Sequence, residues 1–346
     1  MRGRILITGG AGFIGSHVAD ALLRRGYSVC ALDNLSEQVH GTPRLRPAYL
    51  DEEVELLVGD VRDAHGVDRA LDGVDAVFHF AAAVGVGQGM YEVERYASVN
   101  TVGTAVLMEA LARRPVKRLV VASSMSLYGE GLFRRAGGQL VEGDERPMAQ
   151  LQARQWEVRA RGGDVLEPVP TPESKRPALP SVYALTKYDQ ERLCLVLGRA
   201  YGVPTVALRF FNVYGPRQAL SNPYTGGLAL FAARCLNGRA PLVDEDGLQR
   251  RDFVHVDDVA RACVLALEVD GAPGRAFNVG SGRSHSVLEV AMKLARALGV
   301  EAPPELTGRY RLGDIRHCFA DITLARQELG YAPEVTFERG LAGLAV

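Results

Sequence analysis

The sequence predicts an α/β protein: a doubly wound parallel sheet with a smaller C-terminal lobe. Three observations lead there. Short apolar runs alternate with helical patterns from Arg4 to Asn212, as in a sheet covered by helices on both faces. A glycine-rich turn separates the first apolar run from the first helical pattern. After Asn212 the texture changes to "VYGPRQALSNPYTGG", a loop carrying Pro216 and Pro223, followed by shorter and more mixed elements.

The elements follow in order. "RILIT" (4–8) is the first strand, and "FIGSHVADALLRRG" spaces apolar residues helically until Gly26 stops it. "SVCALD" (28–33), "VELLVGD" (54–60), "AVFHFAA" (76–82), "RLVVASS" (118–124) and "TVALRFFN" (205–212) are buried-strand candidates, with helices predicted over 63–71, 93–113 and 182–201. Right-handed crossovers between such units wind the sheet both ways. Residues 1–212 are thus expected to form one domain. Residues 213–346 are expected to form mainly a second lobe, some of whose elements return to the first sheet. That lobe would hold helices near 227–238, 257–269 and 286–298, strands near 252–256 and 275–280, and a turn at 303–304. Residues 130–180 break the alternation. This insert is polar, ends "LEPVPTPESKRPALP", holds the only tryptophan, Trp156, and shows one possible short helix near 147–158; it reads as an ordered flap.

Composition narrows the function. The chain has 346 residues, 47% apolar and 23% charged, with a formal net charge of −1. That balance argues against a nucleic-acid or membrane-surface binder. No apolar run is long enough to span a bilayer, and "MRGRILITGG" reads as a strand rather than a signal peptide. The five cysteines (Cys30, Cys194, Cys235, Cys263, Cys318) are scattered, which fits free thiols in a reducing cytoplasm and no metal site.

"TGGAGFIGS" (8–16) satisfies G-x-G-x-x-G at Gly10, Gly12 and Gly15, and T-G-x-x-G-x-x-G from Thr8 through Gly9, Gly12 and Gly15. Between a strand and a helix, such glycines allow a tight turn and offer helix N–H groups to a pyrophosphate. Asp33 ends the second strand, one helix and one strand past Gly15. A carboxylate there accepts from ribose hydroxyls and repels a 2′-phosphate, so NAD is expected over NADP. In "SVYALTKYDQERL" (181–193), Tyr183 and Lys187 stand one helical turn apart on one face. By themselves they could be a solvated surface or a tuned acid–base pair.

Together, the glycine motif, Ser124 at a strand end and "YALTK" resemble the extended short-chain dehydrogenase/reductase superfamily, in its nucleotide-sugar epimerase/dehydratase branch. The resemblance covers nearly the whole chain: "GD" at 59–60, "FHFAAA" at 78–83, "SVN" at 98–100, "RFFNVYGPR" at 209–217, "RDFVHVDDVA" at 251–260 and "GDIRH" at 313–317 also match. It implies a Rossmann-type fold and catalysis by Ser124, Tyr183 and Lys187. Tyrosine ordinarily ionises near pH 10, so a phenolate base needs a neighbouring cation, here Lys187 and the nicotinamide. The resemblance places NAD against Gly9, Gly12, Phe13, Ile14, Gly15, Asp33, Asn34, Asp60, Val61, Phe80, Ala81, Ala82, Asn100, Tyr183 and Lys187, with Asp33 at the adenosine ribose and Lys187 at the nicotinamide ribose. It places a nucleoside diphosphate sugar against Val84, Ser124, Ser126, Asn212, Arg217, Arg251, Asp314 and Arg316. Arginine suits phosphate because its planar fork binds two oxygens.

In the family's 4,6-dehydratases an Asp–Glu pair follows the strand-end Thr or Ser, and the decarboxylase branch carries a Glu. Here Met125 and Ser126 stand in those places. Neither is a usual general acid, which leaves oxidation and re-reduction of one hydroxyl, a 4-epimerisation. "VGVGQGMYE", "SSMSLYGEG", the insert and "PRQALSNPYTGG" look most like dTDP-L-rhamnose 4-epimerase-type sequences, which interconvert dTDP-L-rhamnose and dTDP-6-deoxy-L-talose. The insert departs from UDP-galactose 4-epimerase-like proteins, because it lengthens the stretch between Ser124 and Tyr183. A UDP-hexose 4-epimerase, a 4-ketoreductase and a non-catalytic NAD-binding regulator stay open. In this family helices such as 93–113 and 182–201 pair across a two-fold axis, so a homodimer is expected.

Overall fold

The computed structural model describes residues 2–219, 227–300 and 303–344. Seven parallel strands form the main sheet, in the order Ala276–Val279, Thr205–Phe210, Arg118–Ser124, Ala76–His79, Arg4–Thr8, Ser28–Asp33, Glu55–Val58. Alternate residues feed two cores. Ile5, Ile7, Phe78 and Val120 pack under helices Phe13–Leu23 and Val256–Glu268, while Leu6, Val77, Leu119 and Val121 pack under Ala64–Ala70, Gly103–Arg113 and Val182–Tyr201. Burial on both faces explains why these strands read as continuous apolar runs.

The long helix Val182–Tyr201 has plain boundaries. The Ser181 hydroxyl accepts from the Ala184 N–H, and Gly202 closes the far end at φ 70. Its register against the sheet is set by a buried pair: Glu191 takes two hydrogen bonds from Arg209 (2.6 and 2.9 Å) and one from Ser123 (2.7 Å).

The chain after Asn212 contributes to two places. Ala276–Val279 is the edge strand of the main sheet, and Val256–Glu268 packs on Phe13–Leu23. Tyr214, Leu228, Phe231, Phe253, Leu294 and Phe337 build a separate small core. Asn212–Tyr214 leaves the main sheet to pair in parallel with Phe253–His255. Of the loop 213–227, residues 220–226, with Pro223 and most of "PRQALSNPYTGG", lie outside the described residues.

Two regions differ from expectation. The insert contains an antiparallel sheet of Leu140–Glu142, Leu132–Arg134 and Glu167–Val169, over a core of Phe133, Val158 and Leu166. Strands this short show no clear period of two. Its helix is only Met148–Gln152, and Arg154, at φ 55, ends the turn. The helix foreseen over 93–113 is continuous but changes pitch, with a π-helical segment Ala97–Val102 between Val93–Tyr96 and Gly103–Arg113. Such segments are frequent at functional sites, and this one carries Asn100.

Candidate active site

The strand order reverses between Arg4–Thr8 and Ala76–His79, whose last residues Thr8 and His79 are in register. A crevice opens at the carboxyl ends of strands at such a point. The glycine turn sits there. A Cβ on Gly15 would lie 2.3 Å from the Gly9 carbonyl oxygen, and one on Gly9, which has φ 73, would lie 2.9 Å from the Ala81 nitrogen. Those glycines let the backbone pack on itself. Gly12 differs, because its Cβ would meet only the Gly9 carbonyl oxygen, at 3.3 Å. It precedes helix Phe13–Leu23, whose N-terminus has no side-chain cap. Free N–H groups and open space beside Gly12 suit a pyrophosphate.

Asp33 is buried at the end of its strand, in reach of this turn. Its carboxylate accepts from the N–H groups of Ala11 (3.1 Å) and Leu35 (2.9 Å), leaving lone pairs for ribose hydroxyls. Asn34 donates to Asp60 (3.4 Å), and Arg62 clamps the Asp60 carboxylate. Hydrogen bonds from Arg62 hold that carboxyl down at about 2. Val61 is buried against Gly103. Arg217, expected at the substrate, stands on this side instead: it pairs with Asp20 (2.9 Å) and lies 5.6 Å from the Tyr49 ring centroid. Tyr49 in turn donates to the Ala11 carbonyl.

Phe80 packs edge-on to Phe210, and the chain passes through Ala81 and Ala82 to a loop where Val84 is exposed. Asn100, expected at the cofactor, is fully buried, and its side chain is spent on the protein: it bonds Ala83 N–H (2.7 Å), Ala83 carbonyl (3.1 Å) and Thr186 hydroxyl (3.0 Å). It fixes the loop after the fourth strand against the helix that carries Tyr183.

Ser124 ends its strand in register with Phe210. Its hydroxyl accepts from the Ser126 N–H (3.2 Å), lies 3.1 Å from the Ser126 hydroxyl and stands near enough to the Tyr183 phenol to act on it. Burial raises the Tyr183 phenol, and the bond to Ser124 opposes that. Lys187 is fully buried in this wall, and burial brings its ammonium down to about 8. Its Nζ donates to Gln190 Oε1 at 2.6 Å, so the cation is turned along the helix rather than onto the phenol. The direct lowering of Tyr183 by Lys187 that the sequence suggests is therefore absent from this arrangement. Gln190 escaped notice in the sequence, although its place three positions after Lys187 puts it on the same face.

The phosphate-binding candidates separate in the fold. Asn212 Oδ1 is buried with no hydrogen-bond partner, an acceptor with capacity to spare. Arg251 donates to the carbonyls of Arg250, Ile315 and Arg316. Asp314 lies within electrostatic reach of Arg251 and Arg311. Arg316, expected to grip phosphate, is 0% exposed and saturated: it pairs with Glu157 (2.6 Å), Glu245 (2.9 Å) and Asp246 (2.7 Å). It is not a free cation. Arg311 is exposed and carries no side-chain hydrogen bond or ion pair among the described residues. The sequence signal was an arginine just before "LGD", overlooked in favour of the one after it.

The chain matches the NAD dependent epimerase/dehydratase family over residues 5–148 and 163–280, and the gap between those stretches falls inside the insert. It is 37% identical to the dTDP-L-rhamnose 4-epimerase of Burkholderia thailandensis over 99% of this chain and 93% of that protein. The structure resembles the UDP-glucose 4-epimerase of Thermotoga maritima solved with UDP-glucose, with TM-score 0.80, 32% identity and coverage of 98% and 96% of the two chains. It also resembles the Thermus thermophilus UDP-glucose 4-epimerase solved with NAD, with TM-score 0.77, 33% identity and coverage of 98% and 96%. With a glycine turn shaped for a pyrophosphate and a Ser124–Tyr183–Lys187 wall beside it, the chain belongs to the NAD dependent epimerase/dehydratase family, on its nucleotide-sugar 4-epimerase side, and its cofactor is NAD.

Proposed function

We propose that this enzyme inverts C4 of dTDP-L-rhamnose to give dTDP-6-deoxy-L-talose. The observation that carries the reading is Ser124, at the end of its strand and near Tyr183, followed by Met125 and Ser126 in place of acidic residues. One hydroxyl can be deprotonated there, and no carboxylic acid stands in those places to drive elimination or decarboxylation. The similarity to the Burkholderia thailandensis enzyme supports the sugar. Val84, exposed beside Ala83, tolerates a methyl group at C6.

Tyr183 takes the proton of the sugar 4-hydroxyl. The Ser124 hydroxyl, with one proton to give, stabilises the phenolate before that transfer and turns to the sugar oxygen after it. NAD, when bound, supplies the acceptor for the C4 hydride and returns it. Between those events Asn212, Arg251 and Arg311 hold the nucleoside diphosphate while the 4-keto sugar turns to present its other face. Tyr183 then gives the proton back, so the base is regenerated in each cycle. Lys187 fixes the cofactor ribose. Arg217, on the Asp20 side, serves the cofactor rather than the sugar nucleotide.

The test is NMR of the sugar protons when enzyme purified without added NAD meets dTDP-L-rhamnose. Signals of the 4-epimer support the proposal. Conversion of UDP-glucose but not dTDP-L-rhamnose moves the substrate to the UDP-hexoses, a second reading favoured by the solved likeness to a UDP-glucose 4-epimerase. No turnover of either sinks both.

We further propose a homodimer working in the cytoplasm. Val102, Leu185 and Val196 are exposed on the two helices expected to pair across the two-fold axis. Sedimentation as a monomer at micromolar concentration would count against it. Among the described residues no helix is long and apolar enough to cross a membrane.

A further inference from the structure

Lys187 is backed by a chain of buried hydrogen bonds that runs through Gln190 and Thr104 to His79 and Thr8. Thr8 Oγ1 accepts from the Ala81 N–H (3.2 Å) and lies 2.8 Å from His79 Nδ1. His79 is fully buried, and burial holds it neutral, down to about 3. His79 Nε2 lies 2.8 Å from Thr104 Oγ1 and 3.2 Å from Gln190 Nε2, and the tautomer sets the direction of these bonds. Thr104 donates its own proton to the Asn100 carbonyl (2.5 Å). Its second lone pair accepts from Gln190 Nε2 at 3.0 Å. The same Nε2 lies 3.3 Å from the Ala81 carbonyl, which can only accept. The Gln190 amide therefore has one orientation. Its nitrogen faces Thr104 and Ala81, and its oxygen must face Lys187, where it accepts at 2.6 Å.

Gln190 itself is 0% exposed, so it has no water to exchange with. An ammonium buried this deeply keeps its charge only through such acceptors. The titratable groups around Lys187 are few. Tyr183, Glu191 and Cys194 lie on its own helix, and His79 comes from the facing strand. The neighbouring helix Gly103–Arg113 contributes only Thr104 to this network, which is uncharged. Glu191 is committed to Arg209 and Ser123. No carboxylate is left to pair with Lys187 directly, and the neutral amide takes that place.

We propose that Gln190 is a positioning residue for catalysis. It keeps Lys187 cationic and aimed beside Ala81, on the strand edge where the cofactor lies, through an amide locked by Thr104 and the Ala81 carbonyl. This rests on the cofactor and catalytic roles given above to Lys187.

The test reads the charge on Lys187 through NAD affinity, which needs no sugar turnover. Cofactor-stripped protein is titrated with NAD across the neutral-to-alkaline range, and the pH at which affinity fades is recorded. In the wild type it fades as Lys187 loses its proton, and Lys187→Met removes that dependence. Gln190→Met keeps the volume but removes the acceptor, so the limb moves down by about one pH unit, the worth of a hydrogen bond to a charged group. Gln190→Glu supplies an anionic acceptor, so the limb moves up. Opposite shifts from the two variants, with sugar turnover following the same limbs, establish the role. A uniform loss of NAD affinity at every pH, with the limb unmoved in both variants, means that Gln190 only packs, and overturns the proposal. A wild type whose affinity has no limb that Lys187→Met abolishes overturns the role of Lys187 first, which separates the two failures.

Discussion

Arg316 Nη2 lies 2.6 Å from Glu157 Oε1, joining the segment after "GD" at 313–314 to the insert 130–180. Around that pair, Glu130 accepts from the N–H groups of Arg316 (2.6 Å) and His317 (3.1 Å). Arg146 donates to the Asp314 carbonyl (3.0 Å), and Trp156 packs against Tyr310 at 6.1 Å. The insert is thus the backing of the loop that presents Arg311 and Asp314, rather than a detached flap.

Arg316→Met should destabilise the protein by about 3 kcal/mol, because the buried Glu245 loses one of its cations and the part-exposed Glu157 and Asp246 lose theirs. Glu157→Gln should cost about 1 kcal/mol, because Arg316 keeps Glu245 and Asp246. Urea unfolding of the wild type and both variants checks the order. Equal losses would refute the assignment of Arg316 as the hub.

The same pair gives a pH dependence with its own reporter. Burial pushes the Glu157 carboxyl up, but hydrogen bonds from His317 and Arg316 overcome this and bring it down to about 2, from an ordinary 4.5. His317 is the neutral donor, since its Nδ1 accepts from the Arg250 N–H. A depressed carboxyl contributes stability above its unfolded value and loses it as pH falls through the folded one. Stability should therefore fall between about pH 4.5 and pH 2, and this slope should be shallower in Glu157→Gln. The single tryptophan, Trp156, adjoins Glu157, so its fluorescence follows the insert directly.

Two glycines should fail in different ways. Gly15→Ala forces a methyl to 2.3 Å from the Gly9 carbonyl oxygen, and should cost about 1–3 kcal/mol with or without NAD. Gly12→Ala meets only a 3.3 Å contact, so the melting temperature of the cofactor-free protein should hardly move while retention of NAD through purification is lost. Thermal unfolding of stripped and NAD-loaded samples separates the two effects.

Tyr183→Phe should lower turnover by about 10²- to 10⁴-fold while leaving NAD bound. Ser124→Ala should lower it less and move the acid limb of the rate profile to higher pH, because the Ser124 hydrogen bond lowers the Tyr183 phenol. Rate against pH for both variants is the check, and a Ser124→Ala limb at the wild-type position would contradict the pairing.

The strands, the glycine turn and the Tyr–Lys spacing are legible in the chain alone, because these signals are local. "RILIT", "SVCALD" and "RLVVASS" coincide with the observed strands residue for residue, since strands buried on both faces leave unbroken apolar runs. Resemblance also brings Ser124 and Tyr183 into one site, although the whole insert separates them in the chain. The partners of these residues come from the fold. Nothing near Arg316 in the sequence announces Glu157, Glu245 and Asp246, which reach it from separate segments. Arg217 and Asn100 sit in matched motifs, yet Asp20 takes one arm of the guanidinium and the Ala83 backbone takes the amide. Gln190 faces Lys187 with its oxygen only because Thr104 and Ala81 hold its nitrogen. Helix and strand are written in nearest neighbours. Whether a charged side chain is free for a ligand depends on which distant groups the fold brings within hydrogen-bonding distance of it.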